Sequence, residues 1–259
     1  MPGRDLTLLT GAAIEAGRIA EKYWTKDPEI WDKPGGHGPV TEADLEVDRM
    51  LRSELLAARP DYGWLSEETE DGPARLGKTR VFIVDPIDGT RSFIDGGRAF
   101  AHSLAVAEAG RIIAGVVFLP MMDRMFTAAF GQGAHLNGTR LTASRLGDEP
   151  GAQILASRPN FTADHWPGGL PRASRTYRPS LAYRMALVGE GRFDGMVTFR
   201  DSWEWDIAAG ALIAAEAGAE VTDRDGAPLS FNNPTPLLPG VITAGAPLHA
   251  ALMARRRSA

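Results

Sequence analysis

Residues 81–91 read Val-Phe-Ile-Val-Asp-Pro-Ile-Asp-Gly-Thr-Arg. Four apolar residues without a polar break predict a strand buried on both faces. The strand is expected to end at Asp85, with a turn beginning through Pro86, Asp88 and Gly89. Two carboxylates at the end of a buried strand are costly to desolvate unless something positive sits between them. A hard divalent cation is the simplest such partner, and the Ile87 carbonyl between the two acids offers another hard oxygen. Gly89-Thr90 can turn backbone N–H groups toward an anion, as helix starts and nests do. This run therefore points to metal together with phosphate.

Composition removes competing chemistries. Among 259 residues there is no Cys, which excludes disulfides, thiolate zinc sites and cysteine nucleophiles together. Five His residues are scattered without a metal-ligand spacing. A net charge of -5 argues against a general nucleic-acid binder. The basic run Arg255-Arg256-Arg257 reads as a solvated tail. No apolar stretch reaches the length of a membrane span, and the N-terminus lacks a signal-peptide layout, so a soluble cytoplasmic protein is expected.

Periodicity predicts helices over residues 5–25 and 41–58, separated by a loop over 27–39 rich in Pro and Gly. A short strand at 62–65 leads into the acids Glu67, Glu68, Glu70 and Asp71. Residues 101–142 read as a meander of three strands. Residues 147–151 are a seam, dividing the chain into an N-terminal α+β half, 1–147, and a C-terminal α/β half, 148–259, that together form one unit. In the second half, strands alternate with a helix near 180–190 and another at 207–217 that is apolar nearly all round, hence buried between layers. This order favours an α/β (α+β) layered helix–sheet sandwich.

Other candidate residues have bland local readings. Glu67 ends a strand-like run inside an acidic loop. Asp206 precedes an apolar helix, where Asp is a good N-cap; a cap carboxylate keeps an oxygen for a cation. Asp44 completes the capping box Thr41-Glu42-Ala43-Asp44. Lys33 reads as an exposed loop lysine. The Thr90 hydroxyl is a weak nucleophile without an adjacent base; near a carboxylate such as Asp44 it can instead orient a water.

Taken in order, Val40-Thr-Glu-Ala-Asp44, Ser66-Glu-Glu-Thr69, Val84-Asp-Pro-Ile-Asp-Gly-Thr-Arg91 and Glu204-Trp-Asp-Ile-Ala-Ala-Gly210 resemble the inositol monophosphatase family of metal-dependent sugar phosphatases. The resemblance covers nearly the whole chain. It implies a five-layer αβαβα sandwich. It implies that Glu67, Asp85, the Ile87 carbonyl, Asp88 and Asp206 hold two or three Mg2+ ions. Asp44 and Thr90 match the pair that orients the attacking water, with Glu67 also at the catalytic centre. Gly89 and Thr90 match the phosphate donors, and Lys33 a loop lysine near the third metal. Lithium sensitivity and a homodimer are further implications, with a small phosphorylated metabolite as partner and neither nucleic acid nor membrane.

Substrate choice departs from the inositol-specific pattern, which carries a carboxylate several residues before the Trp-Asp pair. The segment here is Thr198-Phe199-Arg200-Asp201-Ser202-Trp203, with no acid at that position. Arg200 is suited to a second phosphate or a carboxylate. Arg91 resembles relatives acting on histidinol phosphate or 3'-phosphoadenosine 5'-phosphate, and inositol 1-phosphate stays a candidate. Phe93 and Trp203 are aromatic enough to stack on an adenine. Two rivals stand beside this reading: a haloacid-dehalogenase-type phosphatase with a covalent aspartyl-phosphate, and a non-catalytic metal-binding regulator on the same scaffold.

Overall fold

A computed structural model of the chain describes residues 2–26, 28–32 and 38–257. Its helices are α1 (Pro2–Tyr23), α2 (Glu42–Ala58), α3 (Thr90–Ile94), α4 (Leu181–Gly189), α5 (Glu204–Glu216) and α6 (Ala246–Arg256). The strands of the first half are β1 (Ile30–Asp32), β2 (Pro39–Thr41), β3 (Gly63–Ser66), β4 (Arg80–Asp88), β5 (Ala101–Glu108), β6 (Arg111–Leu119), β7 (Arg124–Ala129), β8 (Ala134–Leu136) and β9 (Thr139–Arg140). Those of the second are β10 (Gln153–Leu155), β11 (Ser174–Thr176), β12 (Gly195–Thr198), β13 (Ser202–Trp203), β14 (Ala219–Thr222), β15 (Leu237–Leu238) and β16 (Val241–Gly245).

Strands β3 to β9 form one seven-stranded sheet in sequence order. Only its β3–β4 pair is parallel. A five-stranded sheet runs β11-β10-β12-β16-β14. Helices α1 and α2 cover the outer face of the large sheet, α4 and α5 lie between the sheets, and α6 covers the outer face of the small one. The five αβαβα layers are therefore present. Strand β4 shows why: Val81 and Ile83 join the core between the sheets, while Phe82 and Val84 join the core under α1 and α2. Alternate residues point to opposite faces, and both faces are roofed.

Helix α5 is buried nearly all round, with Ile207 and Ile213 fully enclosed. Each such side chain contributes about 1.5–3 kcal/mol relative to exposure. Helix α4 crosses it at Gly210, where a Cβ would meet the Met185 Cβ at 2.8 Å. Glycine is what permits that approach.

Three expectations need correction. The stretch expected as a loop contains β1 and the first residue of β2, an antiparallel pair in register Ile30↔Thr41, because backbone pairing needs no particular side chain. Pro39 is tolerated there as a first strand residue. Strand β4 does not stop at Asp85 but runs to Asp88. The basic C-terminal run is not a solvated tail: Arg255 and Arg256 belong to α6. Arg255 pairs with Glu149, and Arg256 donates to the His165 carbonyl at 2.8 Å.

Candidate active site

The backbone of β4 brings its two acids together. In a regular strand, residues three apart point to opposite faces. Here the ladder passes from Asp85↔Ser103 to Asp88↔Ala101, so β4 carries one extra residue. Pro86 has no N–H to continue the pairing, and the resulting bulge re-aims Asp88. His102, fully buried, holds the bulge through Nδ1 and the Pro86 carbonyl at 2.5 Å. Burial pushes its pKa down to about 4, so the ring is neutral and Nδ1–H donates.

One carboxylate oxygen each from Asp85, Asp88 and Asp206 lies within 4.8 Å of the others. Asp85 and Asp88 are buried. Oδ2 of Asp88 accepts from Ser180 Oγ and the Ala182 N–H, both at 2.7 Å, at the start of α4. Among the described residues, Oδ1 of Asp85 is buried without a hydrogen-bond partner. Burial and then the charges of Glu67, Asp88, Asp206 and Asp44 push the Asp85 carboxyl well above the ordinary range. An orphaned buried oxygen amid converging acids, with no Cys or His ligand, fits a hard cation with oxygen ligands.

Asp206 is not the N-cap expected from sequence. Trp203 occupies that position, and Asp206 lies in the first turn of α5. The helix begins early because the Glu204 N–H bonds the Pro236 carbonyl, while β13 pairs with β15. The Asp206 carboxylate consequently faces the other acids.

Asp44 does complete the capping box at Thr41. Its Oδ2 accepts from the Thr41 N–H at 2.8 Å and from Thr41 Oγ1 at 2.5 Å. Its Oδ1 stands 3.4 Å from Thr90 Oγ1, which is 3.1 Å from the Ile87 carbonyl. Gly89, at φ 98°, is the N-cap of α3, with Thr90 its first residue. The positive φ favours glycine, and the first N–H groups of α3, which have no partner within the helix, belong to residues that line the same cavity as the acids.

These residues open on a cavity of about 1330 Å³. It is lined by Glu67, Asp85, Ile87, Asp88 and Asp206, and by Gly89, Thr90, Arg91 and Arg200. Asp44 lies buried behind Thr90. Lys33 lies outside the described residues. Phe93 does not line the cavity: it is fully buried, edge-on to Phe100 at 4.9 Å, and has no face for a base. Trp203 does line it, stacked on Trp205 at 4.9 Å and 8°.

Several contributors escaped the sequence reading. Asp48, one turn beyond Asp44 on α2, accepts from Ser66 Oγ and from Thr69 Oγ1 at 2.7 Å, so it brackets Glu67 from both sides. Ser180 and Arg184 enter from α4. Their signals were a Ser at a helix start and one cation in an otherwise apolar helix.

A model of the inositol monophosphatase family matches residues 4–259. The inositol-1-monophosphatase of Rhizobium meliloti (strain 1021) is 38% identical over 232 residues, covering 85% of this chain and 86% of that protein. The fructose-1,6-bisphosphatase/inositol-1-monophosphatase of Thermotoga maritima is 36% identical over 215 residues, 82% of each chain. The solved Thermotoga maritima IMPase superposes with a TM-score of 0.83 at 30% identity, covering 99% of this chain and 97% of that one. The fold, the order of the site residues and these matches agree, and the chain belongs to the inositol monophosphatase family.

Proposed function

We propose that the protein is a Mg2+-dependent phosphomonoesterase acting on a small phosphorylated metabolite. The observation that carries this reading is the convergence of three carboxylates within 4.8 Å of one another, one of them Asp85 with its Oδ1 orphaned among the described residues, in a cavity that Gly89 and Thr90 also line. Family membership and relatives named as phosphatases support it.

Glu67, Asp85, the Ile87 carbonyl, Asp88 and Asp206 are the groups that would hold two or three cations. When bound, the cations supply charge neutralisation and Lewis acidity for an in-line displacement. The remaining work falls to the chain. Thr41 locks Oδ2 of Asp44, so Oδ1 keeps one orientation beside Thr90 Oγ1. Those two oxygens accept hydrogens from a water and aim its lone pair at phosphorus. The Gly89 and Thr90 N–H groups donate to the phosphoryl oxygens, and Arg91 adds positive charge at the entrance. The water oxygen bonds phosphorus as the ester P–O bond breaks, its proton passes to Asp44, and the alkoxide takes a proton from solvent. No covalent aspartyl-phosphate is required, unlike the haloacid-dehalogenase scheme. By the same family reasoning we propose lithium inhibition, a homodimer and a cytoplasmic location.

The test is phosphate release, with and without magnesium, from inositol 1-phosphate, histidinol phosphate, 3'-phosphoadenosine 5'-phosphate and fructose 1,6-bisphosphate. At least one should turn over only with the metal. Asp88→Asn keeps an oxygen for Ser180 and Ala182 but removes a charge from the cage; it should cost at least about a thousandfold in kcat with an unchanged circular dichroism spectrum. No turnover of any ester would leave the non-catalytic reading standing.

A further inference from the structure

The acidic floor of the cavity faces a basic wall. Arg184 lies on α4, one turn beyond Ser180, and lines the cavity although it is only 8% exposed. Its Nε donates to the Arg178 carbonyl at 2.7 Å, and its guanidinium carbon stands 4.8 Å from the centre of the Tyr177 ring. Those contacts fix the plane of the fork. Among the described residues, neither terminal nitrogen has a hydrogen-bond partner, and no carboxylate comes within 4.0 Å. Asp88 and Asp206 are near enough to favour its charge, yet burial outweighs them and lowers its pKa. Arg200 lines the same wall, exposed, with no side-chain partner among the described residues.

A buried guanidinium with two unspent terminal nitrogens is costly unless an acceptor arrives. Asp88 is held at the N-terminal end of α4 by Ser180 and Ala182, and Arg184 reaches from the next turn toward Tyr177. Arg184 enters the cavity from α4, whereas Asp44 and Thr90, the pair that would hold the water, enter from α2 and α3; in an in-line displacement the leaving group departs away from the water. Tyr177, half exposed, supports the guanidinium from beneath. A neutral polyol can accept from the fork through single hydroxyls but leaves its charge uncompensated, whereas a phosphate or carboxylate accepts it bidentately and neutralises it.

We propose that Arg184, with Arg200, forms a second anion subsite, so that the preferred substrate is a phosphomonoester carrying another phosphate or a carboxylate on its leaving group. The proposal rests on the phosphatase reading and narrows its substrate class.

The experiment compares kcat/KM within matched pairs in magnesium: glucose 1,6-bisphosphate against glucose 1-phosphate, and 2-phosphoglycerate against glycerol 2-phosphate. The first pair tests phosphate and the second carboxylate as the extra anion. In the wild type, the doubly anionic member of at least one pair should be preferred by about tenfold or more, as expected for charge-assisted hydrogen bonds. In Arg184→Gln that ratio should collapse toward one, and Arg184→Lys should restore only part of it, because a point charge lacks the fork. A wild-type ratio near one overturns the proposal without any variant. So does a ratio that survives Arg184→Gln, including the case in which both members slow equally because Arg184 holds the scissile phosphate. Should Arg184→Gln not fold, the wild-type ratios and Arg184→Lys decide. Absence of phosphate release from all four compounds and from the wider panel would instead refute the phosphatase reading.

Discussion

The two sheets meet across one cavity and furnish it differently. The large sheet and helix α2 on its outer face deliver carboxylates whose positions are spent on backbone and hydroxyl contacts before any ligand arrives. Asp44 is locked by Thr41, and Asp88 by Ser180 and Ala182. The small sheet and its loops deliver Arg200, Trp203 and the setting of Arg184, among which Arg200 stays exposed. Chemistry requires atoms held still on rigid elements, whereas leaving-group recognition tolerates a wall that differs from one substrate to the next. If that contrast is right, disturbing the first side should damage function or folding more than disturbing the second.

The strongest way to break the comparison is at the join. Arg75 is 3% exposed; it holds Asp71 at 2.6 and 2.7 Å, the Asn232 side chain at 2.7 Å and the Asn233 carbonyl at 2.9 Å. The buried Glu204 carboxylate accepts from the backbone of the same two asparagines. Residues from both halves thus share one polar network, next to the acidic loop and the start of α5. Arg75→Met leaves buried acceptors unpaired and should lower unfolding stability by about 3–5 kcal/mol in chemical denaturation. A loss confined to the second half, followed by hydrogen exchange, would show that the halves are separable.

A smaller effect sharpens the claim that the acidic side is held in advance. Asp48 never lines the cavity, yet Ser66 and Thr69 on either side of Glu67 both donate to it. Asp48→Ala should raise the magnesium concentration for half-maximal activity by about 10–100-fold, with recovery at saturating metal. Asp48→Asn, which keeps an acceptor, should recover part of the loss. An unchanged magnesium dependence would mean that Glu67 is held by its own backbone alone.

How much of this was legible follows from the range of each interaction. The Val81–Arg91 run and the Thr41–Asp44 capping box are local, so hydropathy and cap chemistry disclose them. The bulge that turns Asp88 beside Asp85 is invisible to a reading that ends the strand at the first acid. It depends on β5 pairing past Pro86 and on His102 beneath it. Asp206 was misplaced as a cap because the Pro236 carbonyl, thirty residues on, starts α5 three residues early. Arg184 sits in a helix whose apolar pattern says only that it is buried. Its meaning emerges once Tyr177 and the cavity are beside it. Arg255 and Arg256 looked solvated because Glu149 and the His165 carbonyl are distant in sequence.

The smallest effect lies farthest from the site and asks whether the halves stand or fall together. His249 of α6 is buried, with Nε2 2.9 Å from Thr222 Oγ1 on β14. That hydroxyl donates to the Asp223 carbonyl at 2.9 Å, so the imidazole Nε2–H donates to it. Burial lowers the His249 pKa below its ordinary 6.5, and Glu220 opposes this only in part. Below pH 6.5 the unfolded chain therefore binds more protons than the folded one. Stability is retained above that pH and falls as acid is added, until the folded ring also titrates. His249→Gln keeps a donor for Thr222 but removes the titration. Its melting temperature should drop less between pH 8 and pH 5 than that of the wild type. If the chain unfolds as one unit, the difference should appear equally when melting is followed at α1 and at α6; a shift seen at α6 alone would assign the second half a stability of its own.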